Sequence, residues 1–265
     1  MDIQAIASKE QLLQHRENIE ALFFESFGQR SLGKVWDWAY LDNPAGEPFV
    51  TLCYEGERLV GHYAIVPMPL AEGGQRLNTY VSMTTMVAES HRKFGLFTTL
   101  AQATYQAARE AGAAFVFGFP NAQSTPGFRK RLEWQLPEPD LVATVDKERL
   151  LALAATGYFD KRGRLSLDLG EARLRAWRLA RPGGRYQWQD GLAYKEHQGG
   201  IDLLWWESAA ALAALPEGMA INVLVGSDAG LESCKSFDYQ FGGIGLGREF
   251  RPQSVNREMA LSDLF

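Results

Sequence analysis

Met83-Thr84-Thr85-Met86-Val87-Ala88-Glu89-Ser90-His91-Arg92-Lys93-Phe94-Gly95-Leu96-Phe97-Thr98-Thr99-Leu100 is the stretch that most limits how this chain can fold. It reads as a strand, then a short basic loop with one glycine, then the start of a helix. The helix continues through Ala101, Ala103, Tyr105, Ala107 and Ala108 and stops at Gly112. A helix start leaves backbone N–H groups without internal partners, and the helix dipole adds partial positive charge there. With Arg92 and Lys93 in front of it, such a start is suited to holding phosphate. Gly95 lets the backbone approach a ligand that a side chain would block. The same residues also suit a plain strand-to-helix turn carrying a solubilising basic pair, so the flanking segments have to decide.

Composition narrows the classes. The 265 residues suffice for one large domain or two small ones, with a sizeable core. Net charge is −5, which argues against a nucleic-acid partner, since such proteins carry a basic face. The two cysteines, Cys53 and Cys234, and four histidines show no metal-ligand spacing, so no metal is expected. The first residues lack the basic and apolar regions of a signal peptide, and no apolar run reaches membrane-span length. A cytoplasmic location is the default expectation.

In chain order, residues 2–7 suit a short strand. Lys9 to Phe27 reads as one amphipathic helix with Leu12, Leu13, Ile19, Leu22, Phe23 and Phe27 on a stripe, ended by Gly28. Ser31 is placed to cap a second helix through Val35, Trp36 and Trp38 to Tyr40. Asn43 to Gly46 is a turn. Phe49 to Tyr54 and Arg58 to Pro67 read as a hairpin, and Gln75 to Val87 as a longer strand. After the basic loop and its helix, Ala113 to Phe119 suits a buried strand, Thr125 to Leu132 a short helix, and Trp134 to Val145 a further strand.

The spacing Arg92-x-x-Gly95-x-Phe97 resembles the R/Q-x-x-G-x-G/A pyrophosphate loop of the GNAT superfamily of N-acetyltransferases, with Phe97 where Gly or Ala is usual. The helix, helix, three-strand, loop-helix, strand, helix, strand order is similar to the GNAT order. Phe119-Pro120-Asn121 and the loose Lys130-Arg131-Leu132-Glu133-Trp134 run resemble the family's segment after its fifth strand. The stretch Val60 to Pro67 adds a likeness to a subgroup associated with bacterial surface-polysaccharide synthesis. The resemblance implies a mixed α/β GNAT fold, acetyl-CoA as acyl donor, and a small-molecule amine as acceptor, possibly an amino sugar.

The second half echoes the first. Trp177-Arg178-Leu179-Ala180-Arg181-Pro182-Gly183-Gly184 repeats the pattern of Trp38 to Gly46, one residue shorter. Strands at Tyr186 to Gln189, Leu192 to His197 and Ile201 to Trp206 follow, then a helix from Ser208 to Leu215 and a strand from Met219 to Val225. Two tandem units are expected, 1–145 binding acetyl-CoA and 146–265 degenerate, because the second lacks an Arg-x-x-Gly loop. Such a copy would build a wall of the acceptor site or a homodimer surface.

The resemblance distributes roles. Arg92, Lys93, Phe94, Gly95, Leu96 and Phe97 would hold pyrophosphate. A backbone N–H at Met86 or Val87 would meet the developing oxyanion. Tyr80 and Thr84 would line the acceptor pocket, and Asn121 would position the pantetheine amide or a water. His62 is the candidate base and Ser124 the candidate acid. Phe128 stands where the family often has a tyrosine acid, and it cannot give up a proton. The chain end, Leu264-Phe265, is expected to fray, although some tandem relatives use theirs in the site. Two other readings are a non-catalytic acyl-CoA-binding scaffold and a Fem-like aminoacyltransferase acting with tRNA; the acidic balance counts against the latter.

Overall fold

The structure is a computed structural model that describes residues 1–28, 33–262 and 265. Ser31 and Leu264 lie outside these residues. Among the described residues there are two six-stranded mixed sheets and one three-stranded sheet.

The first sheet runs β1 (Asp2–Ile6), β2 (Phe49–Glu55), β3 (Arg58–Pro67), β6 (Thr79–Val87), β7 (Phe115–Gly118), β15 (Gly242–Gly245). Its neighbours are antiparallel except β6–β7, which are parallel and joined through helix α4 (Leu96–Glu110). That helix buries Leu96, Leu100, Ala101, Thr104, Tyr105 and Ala108, a helical-period stripe laid against β2 and β3. Helices α1 (Lys9–Gln14), α2 (Arg16–Phe27) and α3 (Gly33–Trp36) precede the hairpin.

The second sheet runs β10 (Tyr186–Gln189), β11 (Leu192–His197), β12 (Gly200–Trp206), β13 (Ile221–Val225), β8 (Asp140–Val145), β14 (Lys235–Tyr239). Again one pair is parallel, β12–β13. Its crossover is only a 3-10 turn, Ala209–Ala214, where an α-helix was expected. The small sheet joins β4 (Leu70–Glu72), β5 (Gln75–Leu77) and β9 (Ser166–Leu167). Helices α5 (Thr125–Arg131), α6 (Lys147–Ala155) and α7 (Ala172–Leu179) complete the chain.

The two sheets are built on one plan and exchange a strand. In the first, the parallel strand β7 is flanked by β15 from the second half. In the second, the parallel strand β13 is flanked by β8 from the first half. The division at 145/146 therefore does not coincide with the sheets. Between the halves, Trp38 and Trp177 stack at 4.7 Å with a 6° interplanar angle. Each indole N–H donates to the other's backbone carbonyl, both at 2.7 Å. Such reciprocal contact is what a local twofold axis imposes on equivalent residues. These are the residues that head the two echoed segments.

Several local expectations are corrected. The helix over Lys9–Phe27 breaks at His15, and Leu13 and Phe27 are exposed rather than on the buried stripe. The strand over Gln75–Val87 breaks at Asn78, whose carbonyl accepts from Ala114. The strand over Trp134–Val145 starts only at Asp140, because Pro137 and Pro139 remove ladder donors before it. Phe265 is not frayed: it is buried, edge-on to Tyr239, and its carbonyl accepts from Arg178 at 2.8 Å.

Candidate functional site

The site follows from where β6 and β7 stop pairing. Their parallel register covers Thr79↔Phe115, Tyr80↔Val116 and Val81↔Phe117. Beyond this β6 continues to Val87 while β7 ends at Gly118, so the strands part. An open cleft of about 350 Å³ occupies the gap, walled by Ser82 to Thr85 on one side and Gly118 to Asn121 on the other. It joins, through Phe27, Thr85, Asn121 and Ser124, a second space of about 610 Å³ that reaches Met86, Val87, Arg92, Phe97 and Arg131.

At the outer end, residues Glu89–Phe94 form a 3-10 turn, and Gly95 takes the left-handed conformation, φ 73°, before α4. No side chain caps α4, and its first turn holds no acidic residue. The first internal bonds run from Thr98 and Thr99 back to the Gly95 carbonyl, so the Leu96 and Phe97 N–H groups precede them. Arg92 on one side and Arg131 on the other add two guanidinium groups. This combination suits an anion. Lys93 lies beside the exposed Phe94 ring, 5.3 Å from its centroid, and neither lines the cleft.

Phe97 explains its own departure from the small residue usual there. Its ring packs edge-on against Phe128 at 5.2 Å and against Tyr63 at 6.1 Å, under α5. A Cβ added at Gly127 would come 3.2 Å from that ring. The bulk of Phe97 is thus accommodated by a glycine thirty residues on in sequence and adjacent in space. Gly127→Ala is expected to push the ring toward the cleft and weaken ligand binding several-fold, as overpacked sites rearrange at a cost of about 1–3 kcal/mol; ligand titration beside a thermal melt checks it.

Of the expected catalytic residues, His62 is fully buried and lines neither space. Its Nδ1–H donates to the Thr84 carbonyl at 2.7 Å, and burial pushes its pKa down to about 4. It is a neutral ring pinning a bulge in β6, where Thr84 takes φ 54°. Tyr80 is buried against Phe49, behind the point where the strands part. Thr84, Met86, Val87, Asn121 and Ser124 do line the cleft. The Asn121 Oδ1 accepts from the Gln123 and Ser124 N–H groups, so this side chain, not Ser124, caps the turn into α5. Ser124 Oγ donates to the Asn121 carbonyl at 3.2 Å.

Ser82, Phe27 and Arg131 line the cleft without having been singled out. Arg131 was readable as the end of the Arg129-Lys130-Arg131 run on the helix after β7. Phe27 carries no sequence signal, because it is exposed on the last turn of α2.

The second unit offers no counterpart. β12 and β13 also part, after Asp202↔Asn222, but the far end of β12 is covered. Trp206 donates to the Phe159 carbonyl and meets its ring edge-on at 5.2 Å, Trp205 donates to Leu167, and the Lys161 ammonium sits 4.2 Å from the Trp205 ring centre.

Residues 9–136 match the family described as "Acetyltransferase (GNAT) domain". Among solved structures, a probable N-acyltransferase of Enterococcus faecalis is similar at a TM-score of 0.62 and 10% identity, over 93% of this chain and 73% of that one. A GCN5-related N-acetyltransferase of Kribbella flavida gives 0.59 and 14%, over 93% and 72%. A tandem GNAT protein of the clavulanic acid biosynthesis pathway gives 0.52 and 12%, over 94% and 100%. At these identities the likeness establishes the fold. No protein of curated function matches the sequence. Among the described residues no helix is long and apolar enough to cross a membrane.

Proposed function

Because this chain carries, over residues 9–136, a domain of the GNAT acetyltransferase family, we propose that it transfers acetyl from acetyl-CoA to the amine of a small molecule, with amino sugars first among candidate acceptors. The observation that supports this reading is the cleft between β6 and β7, with an uncapped helix N-terminus and two arginines at its mouth. Arg92, Arg131 and the α4 amides take the pyrophosphate. The Met86 or Val87 N–H takes the oxyanion beside the bulge that His62 holds. Thr84 and Thr85 face the acceptor. Asn121 offers its side-chain NH2, since its oxygen is committed to the turn. The lining residues near the parted strands carry no carboxylate, so the acceptor enters as a neutral amine or loses its proton to water.

Isothermal calorimetry is expected to show acetyl-CoA binding at micromolar to low millimolar concentration. Thiol release across a panel of amines and nucleotide-linked amino sugars then identifies the acceptor. No binding at millimolar coenzyme would sink the reading. Binding with no turnover on any acceptor would favour a non-catalytic acyl-CoA-binding protein, a reading that the burial of His62 and the presence of Phe128 supply.

A further inference from the structure

A chain of buried hydroxyl groups ends at the cleft. Ser82 is the first β6 residue past the last paired position, and it is only partly covered. Its Oγ–H donates to the Tyr63 hydroxyl at 3.0 Å. Tyr63 is fully buried, and its hydroxyl lies 2.5 Å from that of Tyr105. The Trp134 indole N–H donates to the same Tyr105 hydroxyl at 2.9 Å. Burial raises the pKa of both tyrosines, so the chain stays neutral. Four residues from β3, β6, α4 and the segment after α5 thus converge to fix one small serine.

The direction of these bonds decides what Ser82 offers. Its proton is turned inward, so the cleft meets its lone pairs. A hydroxyl held this way accepts a hydrogen bond; it does not give one. The acceptor is pre-oriented, because both tyrosine rings are locked by packing: edge-on to each other at 5.7 Å, with Tyr63 also meeting Phe97. Ser82 also lies on the α4 side of the sheet, as its bond to Tyr63 and the bond from Tyr63 to Tyr105 on α4 require. That is the side on which the Leu96 and Phe97 amides are presented. A ligand N–H arriving there belongs to the molecule whose phosphates sit on α4.

We propose that Ser82 is a positioning residue that accepts a hydrogen bond from an amide N–H of the acyl donor's thioester arm, held in that role by Tyr63, Tyr105 and Trp134. The inference rests on the reading of the cleft as an acyl-CoA site. Acyl-CoA carries two secondary amides between its pyrophosphate and its sulfur, and ADP carries none. The pair of ligands therefore separates the arm from the phosphates.

The experiment titrates acetyl-CoA and ADP into the wild-type protein, Ser82→Ala, Ser82→Thr and Tyr63→Phe, with a thermal melt of each. Ser82→Ala is expected to bind acetyl-CoA about tenfold more weakly and ADP as the wild type does, the loss of one well-placed hydrogen bond. Ser82→Thr is expected to restore acetyl-CoA binding. Tyr63→Phe is expected to weaken acetyl-CoA several-fold with ADP unchanged, because the serine loses its orientation. Wild-type affinity for acetyl-CoA in Ser82→Ala overturns the proposal, as does an equal loss for both ligands. A wild-type protein that binds ADP but not acetyl-CoA, or neither, instead overturns the acyl-CoA reading beneath it.

Discussion

Gly95→Asp loses acetyl-CoA binding by about 100-fold or more while the protein melts no lower than Gly95→Asn, which keeps most of its affinity. The two variants share a backbone problem and differ by one charge. Gly95 sits at φ 73° with ψ 11°, a conformation that Asn and Asp enter more readily than other side chains. No atom lies within 4 Å of a Cβ placed there, so neither variant clashes. As an N-cap, either side chain is favourable to α4, and the aspartate also meets the positive end of the dipole. Stability therefore stays level or rises. Binding goes the other way. A carboxylate about 5 Å from a bound pyrophosphate is opposed by ~3 kcal/mol at an effective dielectric near 20. Calorimetry on both variants checks this, with Arg92→Glu as the companion that removes the neighbouring charge. Equal affinity in the Asp and Asn variants would take the α4 N-terminus out of the site.

Lowering the pH from 6.5 to 4 is expected to remove about 3 kcal/mol of stability through His62 alone, at about 1.36 kcal/mol per pKa unit. The native ring titrates at about 4 because burial disfavours its charged form, against 6.5 for an exposed histidine. Between these values the unfolded chain binds a proton that the native state refuses. Stability is thus complete above pH 6.5 and falls as pH drops through the native value. His62→Asn, which keeps a donor for the Thr84 carbonyl, is expected to flatten this limb of the profile. Urea unfolding of both proteins at several pH values measures it. An unchanged slope in the variant would show that another group governs acid unfolding. A base with a pKa near 4 that no cleft space reaches would also leave the pH dependence of turnover untouched, so His62 acts on the bulge and Thr84, not on the acceptor's proton.

Much of this was legible in the sequence where a local rule decides. Gly28, Gly95 and Gly112 mark helix boundaries correctly, and the hairpins at Glu55–Arg58 and Gln189–Leu192 fall where their turn glycines put them. The echo of Trp38 in Trp177 pointed to the tandem plan, and the two indoles meet at its local axis. What stayed hidden is long-range. Helix α6 had a readable cap in Asp146, whose side chain accepts from Arg149, but no expectation was attached to it. The strands β15 and β8 look local and pair across the chain, which no periodicity reveals. His62 has the chemistry of a base, and only the surrounding sheet shows that water does not reach it. Phe97 reads as a defect in a motif until Gly127 is seen beside it. Ser82 is one serine among many until Tyr63, Tyr105 and Trp134 are brought behind it.

The exchanged strands also bear on how such a chain can change over time. Without β15, the edge of β7 would bare Phe115, Val116 and Phe117, all fully buried here. Without β8, β13 would lose its neighbour in the same way. An open apolar edge of this kind invites aggregation. Once two copies have lent each other a strand, deleting the one without a coenzyme cleft removes a piece of the one that has it. The silent half is then kept by folding itself, whether or not it ever touches a substrate, and mutations free to accumulate in it are those that leave the borrowed strands in place.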